Sequence, residues 1–150
     1  MTHSSFELIG LRLKTKTSNQ NGQSMQDCGS LWQEFETQEL AQAIPNKLNE
    51  AVYAVYFDYE SDHTGAFNYF VGCRVKSGTE APEGLSKLAI PEQTYALIQA
   101  KGKMPDCMAD SWKNIWSSDL KRAYTFDFEV YDERSHNWEQ AEVDIFVAVR

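Results

Sequence analysis

The sequence contains no apolar run near the ~20 residues that a membrane-crossing helix needs, and no charged-then-apolar leader at its start. A soluble, cytoplasmic protein is expected. Cysteine is scarce: Cys28, Cys73 and Cys107 are odd in number and far apart, which is neither a disulfide framework nor a zinc spacing. His3, His63 and His136 are equally scattered, so no metal centre and no other cofactor is expected. No cluster of Lys and Arg forms a basic stripe, and direct nucleic-acid binding is not expected. The sequence also lacks G-x-S-x-G, the P-loop, H-E-x-x-H and G-x-G-x-x-G. A non-catalytic role is therefore the first reading.

What is present is apolar and acidic. The 150 residues are 42% hydrophobic and 13% aromatic, enough for one domain with a packed core. Twenty-two acids against fourteen bases give a formal charge of −8, a field that favours cationic partners over phosphate backbones.

A β-α-β-β order occurs twice, over about 1–76 and 88–150. FELIGLRLKTK (6–16) reads as a strand and TSNQNGQ as a polar loop. Ser24 then caps a helix, with Asp27 in a capping-box position. Cys28, Leu31, Trp32 and Phe35 share one face of that helix, and Pro45 closes the stretch after it. Strands 51–59 and 67–76 follow around a turn with Gly65. SGTEAPEGLSKLAI reads as a crossover loop. The second round is strand 93–102, a helix with Pro105 near its first turn and Met108, Trp112, Ile115 and Trp116 on one face, then strands 122–131 and 141–149. The strand ends VYFDYESDH and EVYDERSH align with Asp58 on Asp132, which sets Phe57 opposite Tyr131 and Val55 opposite Glu129. Duplicated units related by a pseudo-twofold axis leave a cleft at their junction, where small ligands bind.

Within KRAYTFDFEVYDE (121–133), Tyr124, Phe126, Phe128 and Val130 alternate with Thr125, Asp127, Glu129 and Tyr131. Glu129 thus reads either as a solvated acid on the outer face or as a charge held among aromatics to meet a cation. The aromatic inventory suits the second reading: Trp32 and Phe35 on the first helix, Trp112 and Trp116 on the second, Phe57, Tyr69 and Tyr131 on strands. A carboxylate beside aromatic faces attracts an organic cation through its charge and through the rings. The run Asp58, Glu60, Asp62 with His63 reads as a water-facing strand end rather than a metal site.

The ordered motifs F-E-L-I-G (6–10), L-W-Q-E-F (31–35), A-V-Y-A-V-Y-F-D-Y with F-N-Y-F-V-G, I-P (90–91) and F-E-V-Y (128–131) resemble the gyrase-inhibitor-like family. That family is also the effector-binding domain of AraC-type and multidrug-responsive MerR-type transcription regulators. The resemblance implies an α+β fold: duplicated β-α-β-β modules forming one curved antiparallel sheet, with two main helices over a central ligand groove. It implies that Glu129 is the buried anchor for lipophilic, cationic ligands, with Tyr131 in the groove wall. Trp32, Phe57, Tyr69, Trp112 and Trp116 are expected as further wall residues. A helix-turn-helix domain would need residues beyond these, so a stand-alone sensor or sequestering protein is expected. The family leaves two alternatives open: a protein partner, either a regulator or DNA gyrase, and a hydrolase of cyclopropane-bearing genotoxins with Glu129 as base.

Overall fold

In the computed structural model, which describes residues 1–150, the doubled β-α-β-β order is present with additional edge strands. The elements are β1 (Thr2–His3), β2 (Phe6–Arg12), α1 (Gln23–Thr37), α2 (Leu40–Ala43), β3 (Val52–Phe57), β4 (Asn68–Val75), β5 (Ser86–Ile90), β6 (Gln93–Gly102), α3 (Asp106–Trp116), β7 (Phe126–Tyr131) and β8 (Ala141–Ala148). All strands join one eight-stranded sheet in the order β1-β6-β8-β7-β3-β4-β2-β5. Every pairing is antiparallel. The halves β2-α1-β3-β4 and β6-α3-β7-β8 meet where β3 lies beside β7.

Several local expectations are corrected. The supposed crossover loop ends in β5, because SKLAI alternates and has the open edge of β2 to pair with. The first strand stops at Arg12. Ser24 lies inside α1 and gives its hydroxyl proton to Asn19 Oδ1 at 2.8 Å. The helix instead begins after Gly22, whose φ of 70° turns the chain into it without a side-chain cap. β7 starts only at Phe126, since Tyr124 has a left-handed φ of 55° that no strand accommodates.

The edge strands are exchanged between the halves. β1 leads into β2 through Ser4 and Ser5, yet pairs with β6, His3 opposite Gln93. β5 leads into β6 through Pro91 and Glu92, yet pairs with β2, Ile90 opposite Phe6. In a flat sheet the places of β1 and β2 would lie roughly 29 Å apart at ordinary strand spacing, whereas the link from His3 to Phe6 spans at most about 11 Å. The sheet must therefore curl until its ends approach each other. Phe6 of β2 accordingly meets Phe128 of β7 with ring centroids 5.3 Å apart, although β3 and β4 lie between them. Gly10 and Gly72 face each other at the β2–β4 crossing, where a Cβ on either would strike the partner strand's backbone.

The two faces carry separate cores. Phe6, Leu8, Tyr53, Val55, Phe57, Phe70 and Phe128 pack inside the curl. On the other face α1 covers Ile9, Val71 and Cys73, while α3 covers Ala100, Val143 and Ile145. The helices stand over opposite wings of the sheet, leaving the centre between them.

Reading the exchanged registers inward through β4 and β8 locates the pseudo-twofold axis. Tyr56 takes the place of Tyr131, and Ala54 that of Glu129. Ala54 and Glu129 are themselves direct partners across β3 and β7, so the axis passes between them. The expected match of Val55 with Glu129 is off by one residue, and in a strand one residue changes the face.

Candidate functional site

Strand periodicity puts Asp127, Glu129 and Tyr131 on the helix-bearing face of β7 and Phe126, Phe128 and Val130 in the core on the other. Glu129 is 1% exposed. Its carboxylate accepts hydrogen bonds from Tyr131 Oη at 2.7 Å on Oε1, and from Tyr56 Oη at 2.9 Å and Trp112 Nε1 at 2.6 Å on Oε2. The two tyrosines occupy equivalent positions on either side of the axis, and the tryptophan descends from α3. No Lys, Arg or His forms an ion pair with Glu129. Burial pushes its carboxyl above the usual range, and the three hydrogen bonds pull it partly back. Burial, and then the nearby Glu129 charge, hold Tyr56 and Tyr131 well above the ordinary phenol range, so both remain protonated donors.

Above this carboxylate lies a cavity of about 440 Å³ between the helices, within the roughly 300–1,000 Å³ of small-molecule sites. Tyr56, Tyr69, Trp112, Trp116, Glu129 and Tyr131 line it, and Met25, Cys28, Met104 and Met108 add polarisable sulfur along its length. Tyr56 packs against Tyr69 at 4.9 Å and Trp112 at 5.0 Å between ring centroids, and His63 stacks on Trp116 at 5.4 Å. A larger cleft of about 930 Å³ beside α1 is mainly polar, with Arg12, Lys14, Asp27 and Glu34 in its wall. It contains no buried carboxylate.

The next acid on the same face is differently treated. Asp127 is fully buried and accepts from Arg122 Nη2 at 2.8 Å, Tyr59 Oη at 2.5 Å and the Ala148 backbone N–H at 2.7 Å. Its charge is matched within the fold. The Arg122 guanidinium lies 4.4 Å from the Tyr124 ring centroid and 5.7 Å from that of Trp112, and it borders the same cavity.

Five of the residues expected at a groove, Glu129, Tyr131, Tyr69, Trp112 and Trp116, line the cavity. Trp32 is not among its lining residues. Its Nε1–H is given to Tyr69 Oη at 2.7 Å, and its ring stands edge-on to Tyr131 at 4.9 Å. Phe57 requires correction: it lies on the opposite face, stacked on Phe126 at 5.8 Å with the Arg12 guanidinium over its ring. The repeat alignment is off by one residue, and the groove position it gives to Phe57 belongs to its neighbour Tyr56. His63, read with the water-facing strand end, instead stacks on Trp116 in the cavity wall; Arg122 has no signal in the sequence pattern, and Tyr56 has only the register of the repeats.

A family model described as Cass2, integron-associated effector binding protein, matches residues 2–149. The integron cassette protein VCH_CASS2, from the mobile metagenome of Vibrio cholerae, is 31% identical, with a TM-score of 0.74 over 100% of this chain and 94% of that one. SAV2435, whose structure was solved bound to tetraphenylphosphonium, is 14% identical with a TM-score of 0.79 over 100% and 92% of the two chains. That is a likeness of fold. The transcriptional regulator BrlR of Pseudomonas aeruginosa is 30% identical over 128 residues, 81% of this chain but 46% of BrlR. The match thus spans just under half of that regulator.

Proposed function

The chain belongs to the integron-associated effector-binding proteins, and on that premise we propose that it binds lipophilic, cationic, aromatic small molecules in the Glu129 pocket, as a sensor or a sequestering protein. The observation that carries this reading is a buried carboxylate with three neutral donors and no cation of its own. A charge removed from water without a counter-charge is costly. An organic cation entering the pocket supplies that counter-charge and meets the negative faces of Tyr56, Trp112 and Tyr131, each desolvated contact contributing about 2 kcal/mol. Neutral aromatics gain only the apolar contact, and anions are repelled. The SAV2435 ligand is a lipophilic cation, and its size and charge suit a pocket with this composition. Sequestration needs affinity alone, whereas sensing needs a partner whose contact differs between the free and bound forms.

The test is titration of the wild type and Glu129→Gln with tetraphenylphosphonium, triphenylmethane and tetraphenylborate, followed by tryptophan fluorescence and calorimetry. Micromolar binding confined to the cation, and weakened in the variant, is the expected result. Equal loss of cation and neutral compound in Glu129→Gln would remove the anchor role. No binding by a folded wild type would return Glu129 to a structural role and make a protein partner the next assay.

A further inference from the structure

Buried side-chain atoms without a hydrogen-bond partner are few, and half of them belong to residues that line one cavity. Arg122 Nε, Arg122 Nη1 and His63 Nδ1 belong to residues that line the Glu129 pocket, just beneath its surface, while Thr17 Oγ1, Arg74 Nε and Tyr95 Oη belong to residues elsewhere. Arg122 is only 4% exposed, and an unpaired guanidinium donor at such depth forfeits a hydrogen bond that water would have supplied. One edge of the fork, Nη2, is committed to Asp127. The other two nitrogens donate to nothing.

Resting on the ligand pocket proposed above, we infer that Arg122 is a second recognition point, which takes a neutral oxygen acceptor on the same ligand whose cation meets Glu129. Charge decides the class of acceptor. Arg122 and Asp127 already balance, leaving Glu129 as the unmatched charge inside the pocket, while Asp106 and Lys113 at its rim are exposed and of opposite sign. The pocket therefore calls for one positive charge and no negative one. A ketone, ether or amide oxygen satisfies the free donors without upsetting the Asp127 pair, and a carboxylate would compete with it. Geometry decides the spacing. Asp127 and Glu129 are alternate residues of one strand, roughly 7 Å apart along it. Trp112 spans the interval, donating to Glu129 and lying 5.7 Å from the guanidinium. The fitting ligand is an aromatic monocation with an acceptor about one benzene ring away from its charge.

A matched pair of probes tests this: 4-benzoylbenzyl-trimethylammonium and 4-benzylbenzyl-trimethylammonium, which differ only by a ketone in place of a methylene. In the wild type the ketone is expected to bind on the order of tenfold more tightly, and to move the Arg122 Nε–H signal in NMR where the methylene compound does not. In Arg122→Lys, which keeps the charge for Asp127 and loses the fork, the preference should vanish while both compounds still bind. Equal affinities in the wild type overturn the inference and leave the Glu129 reading intact. So does a preference that survives in Arg122→Lys. Should that variant not fold, the wild-type affinities and the Nε–H signal decide alone. If neither compound binds, the pocket reading fails and this inference with it.

Discussion

Asp127 and Glu129 are neighbours on one face of one strand, equally withdrawn from water, and each accepts three hydrogen bonds. They differ in a single respect. One of the donors to Asp127 is a guanidinium from its own chain, whereas all the donors to Glu129 are neutral. Depth of burial therefore does not distinguish an acid whose charge is matched within the fold from one whose charge is left, on our proposal, for a ligand to match. The presence of an internal counter-charge does. Arg122 reaches Asp127 because the chain enters β7 through Tyr124, whose left-handed turn brings residue 122 back beside 127. Nothing basic returns to Glu129, which lies farther along the strand between the two helices.

Asp127→Ala leaves Arg122 charged, buried and unpaired, and should cost about 3–5 kcal/mol of stability in urea unfolding. A loss below about 1 kcal/mol would deny the pair its structural role. Glu129→Gln should leave the fold standing and act on binding instead, weakening tetraphenylphosphonium by about 1–3 kcal/mol and triphenylmethane by less.

Acidification should separate the two acids further. The Glu129 carboxyl is raised in the folded protein, so ionising it costs stability. That cost is absent below the ordinary carboxylate range and complete above the raised value. A cation binds the ionised form, so its affinity should fall as pH drops through the raised value, and binding there should release protons into the buffer. Calorimetry in buffers of different ionisation enthalpy reads this directly. A pH-independent cation affinity between pH 4 and 8 would contradict it. The smallest effect belongs to the paired tyrosines. Tyr56→Phe and Tyr131→Phe each remove one donor to the carboxylate, and each should move the midpoint of that pH dependence upward. Their equivalence about the axis predicts similar shifts, and a large shift in one with none in the other would break it.

Much of this was legible in the sequence, for identifiable reasons. The doubled element order followed from periodicity, because Cys28, Leu31, Trp32 and Phe35 repeat as a helix does while FDFEVY alternates. β5 escaped because SKLAI is short and follows a run of Gly and Pro, and because it pairs with a strand from the other half. Which face Glu129 occupied was undecidable from alternation alone, since both faces of β7 are buried and either register looks plausible. The family motifs resolved it. Phe57 was misplaced because a strand alignment wrong by one residue inverts every side chain. The Arg122–Asp127 pair left no trace in periodicity, for it depends on one backbone angle at Tyr124.

The exchanged edge strands carry a consequence for origin as well as for shape. A chain of half this length could satisfy the same pairings only as two copies trading their first strands, a swapped dimer. In such a dimer whatever stood on the axis would face its own image. A glutamate there would meet a second glutamate, and two carboxylates in contact do not both stay ionised. Fusing the copies into one chain frees the two positions to differ. Alanine now stands across from Glu129, and a lone buried carboxylate becomes something a symmetric assembly could not have had.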